Sequence, residues 1–167
     1  MNIRLARPED AFLLPVIERS AAQSFLALEK LAWLAGHDVL SVEQHLAFIA
    51  QGLHWLAVDE RDQALGFVCA SAQDDALHIE ELSVAQASQG HGLGRKLLAC
   101  VEAWGRGEGF KALTLTTFAT VPWNAPFYTR LGFQRLDDAQ AGEFLRWQLR
   151  HEQALGLSDR CAMRKAL

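Results

Sequence analysis

The stretch from Leu82 to Leu98 reads LSVAQASQGHGLGRKLL, and it passes from a strand through a glycine-rich loop into an amphipathic helix. A glycine-rich loop that enters a helix presents backbone N–H groups at the positive end of the helix dipole, and it therefore favours anions. Glycine lets the backbone approach a phosphate without an intervening Cβ atom. Arg95 and Lys96 add positive charge at the same place. The stretch predicts a site for a phosphate or a pyrophosphate.

Three kinds of phosphate-binding loop are candidates for this stretch. A P-loop requires GxxxxGK[ST], and Gly94 is followed here by Arg95 and Lys96, so that pattern fails. A dinucleotide-binding loop requires GxGxxG in the first βαβ unit, but Arg95 stands at the last glycine position and several predicted strands precede the loop. The spacing Gln89-x-x-Gly92-x-Gly94 resembles the (Gln/Arg)-x-x-Gly-x-(Gly/Ala) signature of the GNAT acetyltransferases.

A second block supports this resemblance. Residues 122–133 read PWNAPFYTRLGF and are similar to the family's segment that leads from an asparagine to Phe-Tyr and then Gly-Phe. The N-terminal residues 3–10 also resemble the family's opening. The resemblance covers most of the chain from Met1 to Phe133, and the region after Asp137 matches only as a helix followed by a strand.

Apolar periodicity predicts strands that alternate with helices, and hence an α/β domain with a mixed sheet. The predicted strands are residues 2–7, 54–59, 65–72, 77–84, 112–117, 133–136 and 161–166. The first predicted helix begins at residue 8, and the other predicted helices cover 41–52, 92–105, 125–130 and 141–155. The resemblance implies the GNAT acyl-CoA N-acyltransferase fold, in which a central, mostly antiparallel, twisted sheet is flanked by helices. It also implies that strand 77–84 splays from its parallel neighbour, strand 112–117. We expect a single domain over residues 1–167.

Composition narrows the function classes. A net charge of -4 argues against a general nucleic-acid binder, which needs a surplus of Lys and Arg. Cys69, Cys100 and Cys161 are far apart and lie in apolar runs, so we interpret them as small core residues and expect no metal site or disulfide. The sequence shows no signal peptide and no apolar run long enough to span a membrane, which predicts a cytoplasmic protein without a membrane partner.

The resemblance implies acetyl-coenzyme A (acetyl-CoA) as the cofactor, with its pyrophosphate on the backbone N–H groups from Gly90 to Arg95. The pantetheine arm would pair with the backbone around Leu82 and Val84, and Asn124 would bond it. The predicted cofactor contacts are Leu82, Ser83, Val84, Gln89, Gly90, His91, Gly92, Leu93, Gly94, Arg95, Asn124 and Tyr128.

The implied reaction is direct attack of an amine on the thioester in a ternary complex, and an ammonium must first lose its proton. Tyr128, the only tyrosine, matches the family's general acid. His78 and Glu80 stand eleven and nine residues before Gln89, where some members place the base. Packing roles remain open for all three residues. Glu81 falls on the opposite face of an alternating strand, and we interpret it as structural.

The predicted acceptor is a primary amine of a small molecule, with Trp33, Phe118 and Trp123 as substrate contacts. Aromatic and acidic side chains in the family's acceptor region, Glu18 among them, suit a cation that has an apolar body. Two alternatives stay open: an acetyltransferase acting on protein N-termini or lysines, and a non-catalytic CoA-binding sensor. The closing strand 161–166 could pair across two chains in a homodimer.

Overall fold

The computed structural model describes residues 1–167. The strands are β1 (Asn2–Leu5), β2 (His54–Val58), β3 (Ala64–Gln73), β4 (Ala76–Val84), β5 (Ala112–Phe118), β6 (Gln134–Arg135) and β7 (Arg160–Ala166). The α-helices are α1 (Leu14–Ala22), α2 (Val42–Ala50), α3 (Leu93–Gly107), α4 (Ala125–Arg130) and α5 (Glu143–Ala154). Short 3-10 segments cover Pro8–Phe12, Gln23–Ala27, Glu29–Gly36 and Gln86–Ser88. No helix combines the length and the apolar composition that crossing a membrane requires.

The seven strands form one mixed sheet in the order β1-β2-β3-β4-β5-β7-β6. Strands β1 with β2, β2 with β3, β5 with β7 and β6 with β7 are antiparallel, whereas β4 and β5 are parallel. The parallel ladder has three residue pairs and ends at His78 and Thr114, although β4 continues to Val84. The predicted mixed sheet with one short parallel pair is therefore confirmed.

The chain divides into two compact units. The first comprises Met1–Ser71 and Glu80–Val101, and the second comprises Ala72–Ile79 and Glu102–Leu167. The first unit buries apolar residues of α1, β2 and β3 against one another, among them Leu14, Ile17, Leu56 and Phe67. In the second unit, a smaller cluster joins α5 to β7 through Leu145 and Ala162.

Local signals explain several helix ends. Pro15 delays the first α-helix to Leu14, and the preceding residues 8–12 form a 3-10 turn instead. The predicted capping box before α2 is present: Gln44 N donates to Ser41 Oγ at 3.2 Å, and Ser41 N donates to Gln44 Oε1 at 2.8 Å. Gly52 and Gly132 follow α2 and α4 with left-handed φ values of 71° and 91°.

The region between α1 and α2 differs most from expectation. The helical spacing of Ile17, Ala21 and Phe25 predicts that the first helix continues to residue 25, but α1 ends at Ala22 and residues 23–36 form two 3-10 segments. Strand β6 is also shorter than predicted, with two residues instead of the four from Phe133 to Leu136. Phe133 is buried in the interior, so its apolar character reflects packing and not strand pairing.

Strand β3 approaches the end of β4 very closely at Gly66. A Cβ atom at this position would lie 2.8 Å from the carbonyl oxygen of Ser83 and 3.1 Å from the α-carbon of Val84. Both are backbone atoms, so a side chain could be accommodated only if the end of β4 moved.

We predict that Gly66→Ala lowers the free energy of unfolding by about 1–3 kcal/mol because of this overlap. Urea unfolding followed by circular dichroism measures the change. Gly36→Ala is the matched control, since an added Cβ there meets no atom within 4 Å. Equal stability of the two variants would contradict the predicted overlap.

Candidate functional site

The glycine-rich loop leads directly into helix α3, as predicted. Gly90 and Gly92 have left-handed φ values of 79° and 77°, so this backbone conformation itself requires glycine. The first helical hydrogen bond runs from Lys96 N to the carbonyl of Gly92 at 3.1 Å. The N–H groups of the first turn before Lys96 have no acceptor within the helix. With the exposed side chains of Arg95 and Lys96, this turn offers hydrogen-bond donors and positive charge that suit an anion.

The other predicted cofactor residues of the first unit lie in the loop and at the end of β4. Leu93 is buried and anchors the start of α3, whereas His91 is exposed. Ser83 is buried near the end of β4, and Leu82 and Val84 are half-buried beside it. The loop and the end of β4 are thus held within one unit.

Gln89 uses its side chain to hold the loop. Its Nε2 donates to the carbonyl of Val84 at 3.0 Å, and its Oε1 accepts from Ser24 Oγ at 2.9 Å. Just before it, Gln86 N donates to Ser20 Oγ at 3.1 Å. The amide of Gln89 is therefore engaged by protein groups at both of its polar atoms.

Carboxylates gather near the end of β4. Glu80 Oε1 accepts from Ser71 Oγ at 2.5 Å, and Glu81 Oε1 accepts from Ser83 Oγ at 2.7 Å. Glu18 of α1 accepts a hydrogen bond from Leu40 N at 3.2 Å.

The environment of Glu18 disfavours its charged form. Burial, assisted by the charge of Glu81, raises the pKa of Glu18 to about 8. Burial also raises the pKa of the Cys69 thiol, and the charges of Glu81, Glu80 and Glu18 add to this effect. We call Glu18, Glu80 and Glu81 the acidic cluster. The interpretation of Glu81 as structural missed its influence on Glu18, because strand alternation says nothing about which helix lies nearby.

A buried pair of histidines lies next to the acidic cluster. His45 Nδ1 and His54 Nε2 are 3.1 Å apart, and both rings pack on Phe67. Burial lowers the pKa of His45 to about 4 and that of His54 to about 3. His45 Nε2 and His54 Nδ1 have no hydrogen-bond partner, and His45 Nε2 lies 4.0 Å from Glu18 Oε2. No motif spacing in the sequence pointed to this pair, so it was not predicted.

In the second unit, Tyr128 and Asn124 lie at the start of α4. Tyr128 is buried between the rings of Phe127 and Phe133, with centroid distances of 5.2 and 5.6 Å. The Oδ1 atom of Asn124 is buried and has no hydrogen-bond partner. A buried acceptor without a partner is costly, and a ligand N–H group would satisfy it.

His78, also in the second unit, has the contacts of a packed sheet residue. It is 1% exposed, its Nδ1 lies 3.1 Å from Thr114 Oγ1, and its ring meets Phe144 edge-to-face at 4.9 Å. Burial lowers the pKa of His78 to about 4, against the opposing effect of Glu152. These contacts give His78 a packing role in the sheet.

The predicted substrate residues have different surroundings. Trp33 is exposed and meets His37 edge-to-face at 5.2 Å. Trp123 is exposed as well. Phe118 is buried, with the guanidinium of Arg160 4.7 Å above its ring. Phe118 therefore has an internal packing role that the sequence did not reveal.

Comparisons with known proteins agree with this geometry. The model of the Acetyltransferase (GNAT) family matches residues 22–133. N-alpha-acetyltransferase 80 of Mus musculus is 36% identical over 72 residues, a stretch that covers 43% of this chain and only 22% of that relative.

Solved structures share the whole fold at low identity. The PaiA N-acetyltransferase of Thermoplasma acidophilum, in complex with coenzyme A, has a TM-score of 0.74 at 18% identity, with 99% of this chain and 98% of that chain covered. The N-acetylglutamate synthase of Neisseria gonorrhoeae, complexed with coenzyme A and N-acetyl-glutamate, has a TM-score of 0.76 at 19% identity, with 99% and 35% covered. The ribosomal-protein-alanine N-acetyltransferase of Brucella melitensis has a TM-score of 0.71 at 19% identity, and both chains are covered completely, at 100%.

The raised pKa of Glu18 makes stability depend on pH. Between the ordinary pKa of 4.5 and the folded-state pKa of about 8, the folded protein keeps a proton that the unfolded chain releases. Stability therefore falls as pH rises through this window. The depressed pKa values of His45 and His54 act in the opposite direction between about pH 4 and 6.5, so a variant is needed to isolate Glu18.

We predict that Glu18→Gln is more stable than the wild type at pH 8.5, by about 1–3 kcal/mol, and that the difference shrinks towards pH 5. Urea unfolding at four pH values measures it. Glu29→Gln, at an exposed glutamate of the same unit, is the control and is expected to show no such trend. A Glu18→Gln difference that stays constant with pH would contradict the prediction.

Proposed function

Because this chain belongs to the GNAT family of acetyltransferases, we propose that it transfers an acetyl group from acetyl-CoA to a primary amine of a small molecule. The observation that carries the proposal is the anion site at the start of α3, where left-handed Gly90 and Gly92 precede an open first helical turn. Coenzyme A carries a pyrophosphate, which matches that site in charge and in hydrogen-bond demand.

The residues present fit this cofactor. Backbone N–H groups from Gly90 to Arg95 would bind the pyrophosphate, and the Arg95 side chain adds charge. The backbone from Leu82 to Val84 would pair with the pantetheine arm. The buried, unpartnered Oδ1 of Asn124 supports its predicted bond to an amide N–H of that arm. Two of the solved structures with this fold contain coenzyme A.

The cofactor supplies an activated thioester, and the chain supplies proton transfer and orientation. Glu80 accepts the proton of the acceptor ammonium, directly or through water, and the Ser71 hydroxyl orients its carboxylate. Tyr128 donates a proton to the departing thiolate. A backbone N–H at Leu82 or Ser83 stabilises the developing oxyanion.

The acidic cluster supports an amine acceptor that arrives as a cation. Glu80 and Glu81 supply negative charge within one unit, and Trp33 of the same unit offers an exposed aromatic face. A protein N-terminus is the second candidate, because the mouse relative with 36% identity is named an N-alpha-acetyltransferase.

The first experiment measures cofactor binding and turnover together. We expect calorimetry to detect acetyl-CoA and coenzyme A binding, and thiol release to appear with a member of a panel of small amines and N-terminal peptides. Tyr128→Phe is expected to lower kcat about 100-fold or more, because the general acid is lost, while the Kd for coenzyme A stays within about threefold. Release with peptides alone would favour the second candidate, and binding without any turnover would favour a sensor.

A second pair of variants tests the base. We predict that Glu80→Gln lowers kcat about 100-fold, because an amide accepts no proton. A general base makes kcat rise with pH as the base loses its own proton, and we expect this rise to be absent in the variant. His78→Asn is expected to affect stability more than kcat, as its ring is packed and bonded to Thr114. The reverse pattern, with kcat lost only in His78→Asn, would assign the base to His78.

A further inference from the structure

Two serines one helical turn apart bind the turn that precedes the glycine-rich loop. Ser20 in α1 accepts from Gln86 N at 3.1 Å, and Ser24 just after α1 donates to Gln89 Oε1 at 2.9 Å. Both serines are half-buried. These bonds join residues 66 and 65 positions apart in the chain, so they are tertiary contacts and not local turn chemistry.

The direction of the Ser24 bond follows from hydrogen-bond chemistry. The carbonyl of Val84 accepts only, so the amide of Gln89 must present its NH₂ group there. Oε1 of Gln89 therefore faces Ser24, and the hydroxyl of Ser24 must donate. The three groups form one chain of hydrogen bonds from the end of β4 through Gln89 to Ser24. The donor and acceptor roles in this chain cannot be exchanged.

The loop requires such an anchor because its own backbone is permissive. Gly90 and Gly92 lie between Gln89 and the start of α3, and glycine loses more conformational freedom on ordering than any other residue. The α3 side is fixed by the buried Leu93. On the other side, Ser20 and Ser24 attach the turn to α1, which reduces the number of loop conformations that a ligand must select among.

The Ser24–Gln89 hydrogen bond also involves the segment of residues 23–36, whose structure differs from the sequence prediction. Ser24 lies in the 3-10 segment Gln23–Ala27, and Gln23 Nε2 donates to the carbonyls of Arg19 and Ala35 at 3.3 Å each. Residues 23–36 are thereby joined to the end of α1. This segment carries Trp33, a predicted substrate residue.

We propose that Ser20, Ser24 and the Gln89 amide are positioning residues that hold the cofactor loop and couple it to the segment Gln23–Gly36. The proposal rests on the proposed function, since it takes coenzyme A as the ligand of the loop. Ordering of the loop by coenzyme A stabilises Ser24, and through it the segment. Coupling between two sites is reciprocal in binding free energy, so an ordered segment also raises the affinity of the loop.

The test uses coenzyme A itself, the full chain and three variants. Calorimetry gives the Kd, and hydrogen–deuterium exchange with mass spectrometry reports protection of residues 86–95 and 23–36 separately. In the wild type, we expect coenzyme A to slow exchange in both regions. In Ser24→Ala, we expect a Kd about 3–10-fold higher, the loss expected for one hydrogen bond, with protection retained in 86–95 and lost in 23–36.

Two further variants separate positioning from a general loss of structure. Ser24→Thr keeps the hydroxyl and is expected to restore both the Kd and the protection of 23–36. Ser20→Ala removes the other anchor and is expected to raise the Kd without abolishing protection of 23–36, because the Ser24 bond remains. Unfolding midpoints of all variants are expected to lie close to that of the wild type, since both hydroxyls are half-buried.

The results of these experiments distinguish the coupling proposal from the proposed acetyltransferase function. Protection of the loop without protection of 23–36 in the wild type overturns the coupling and leaves the acetyltransferase proposal standing. A Ser24→Ala protein that behaves like the wild type also overturns the positioning role alone. Absence of coenzyme A binding in the wild type overturns both proposals.

Discussion

The position of the end of strand β4 is the constraint on which the candidate site depends. Gly66 lets β3 approach Ser83 and Val84 so closely that a Cβ atom would overlap their backbone. Ala85 N then donates to the carbonyl of Leu65 at 2.9 Å, and the carbonyl of Val84 receives the amide of Gln89. The polypeptide therefore leaves the sheet at a defined point, which is held by one backbone hydrogen bond and by the side chain of Gln89.

The acidic cluster and the histidine pair are costly for the fold. Glu18 is held where burial and Glu81 raise its pKa to about 8, and His45 and His54 each leave a buried ring nitrogen without a partner. Well-packed apolar residues would avoid these penalties. Conflicts between local stability and polarity concentrate at functional sites. Under the proposed function, the cationic amine would lie near Glu80 and Glu81 of this group.

Features defined by a few neighbouring residues could be predicted from the sequence, and features defined by distant pairs could not. The capping box of Ser41 and Gln44, the loop glycines and the start of α3 follow rules of local geometry, and the structure has them all. The Ser24–Gln89 bond spans 65 positions, and no periodic pattern connects its ends. The 3-10 segments of residues 23–36 likewise have no strong apolar repeat. Glu81 was interpreted as structural from strand alternation. Alternation predicts the face of the strand on which a side chain lies, but not which charged groups of other elements lie near that face. The cofactor and catalytic roles remain predictions.

Under the proposed function, acceptor preference would depend on parts of the chain outside the cofactor loop, and the segment 23–36 is one such part. Two proteins with the same fold, each at 19% identity, are named for different compounds, N-acetylglutamate in one case and a ribosomal-protein alanine in the other. The shared fold includes the glycine-rich loop and the end of β4, which the proposed function assigns to the cofactor. Discrimination between amines must then come from side chains that the fold leaves open. Under the proposed function, the exposed Trp33 is a side chain of this kind, because it belongs neither to the sheet nor to the start of α3.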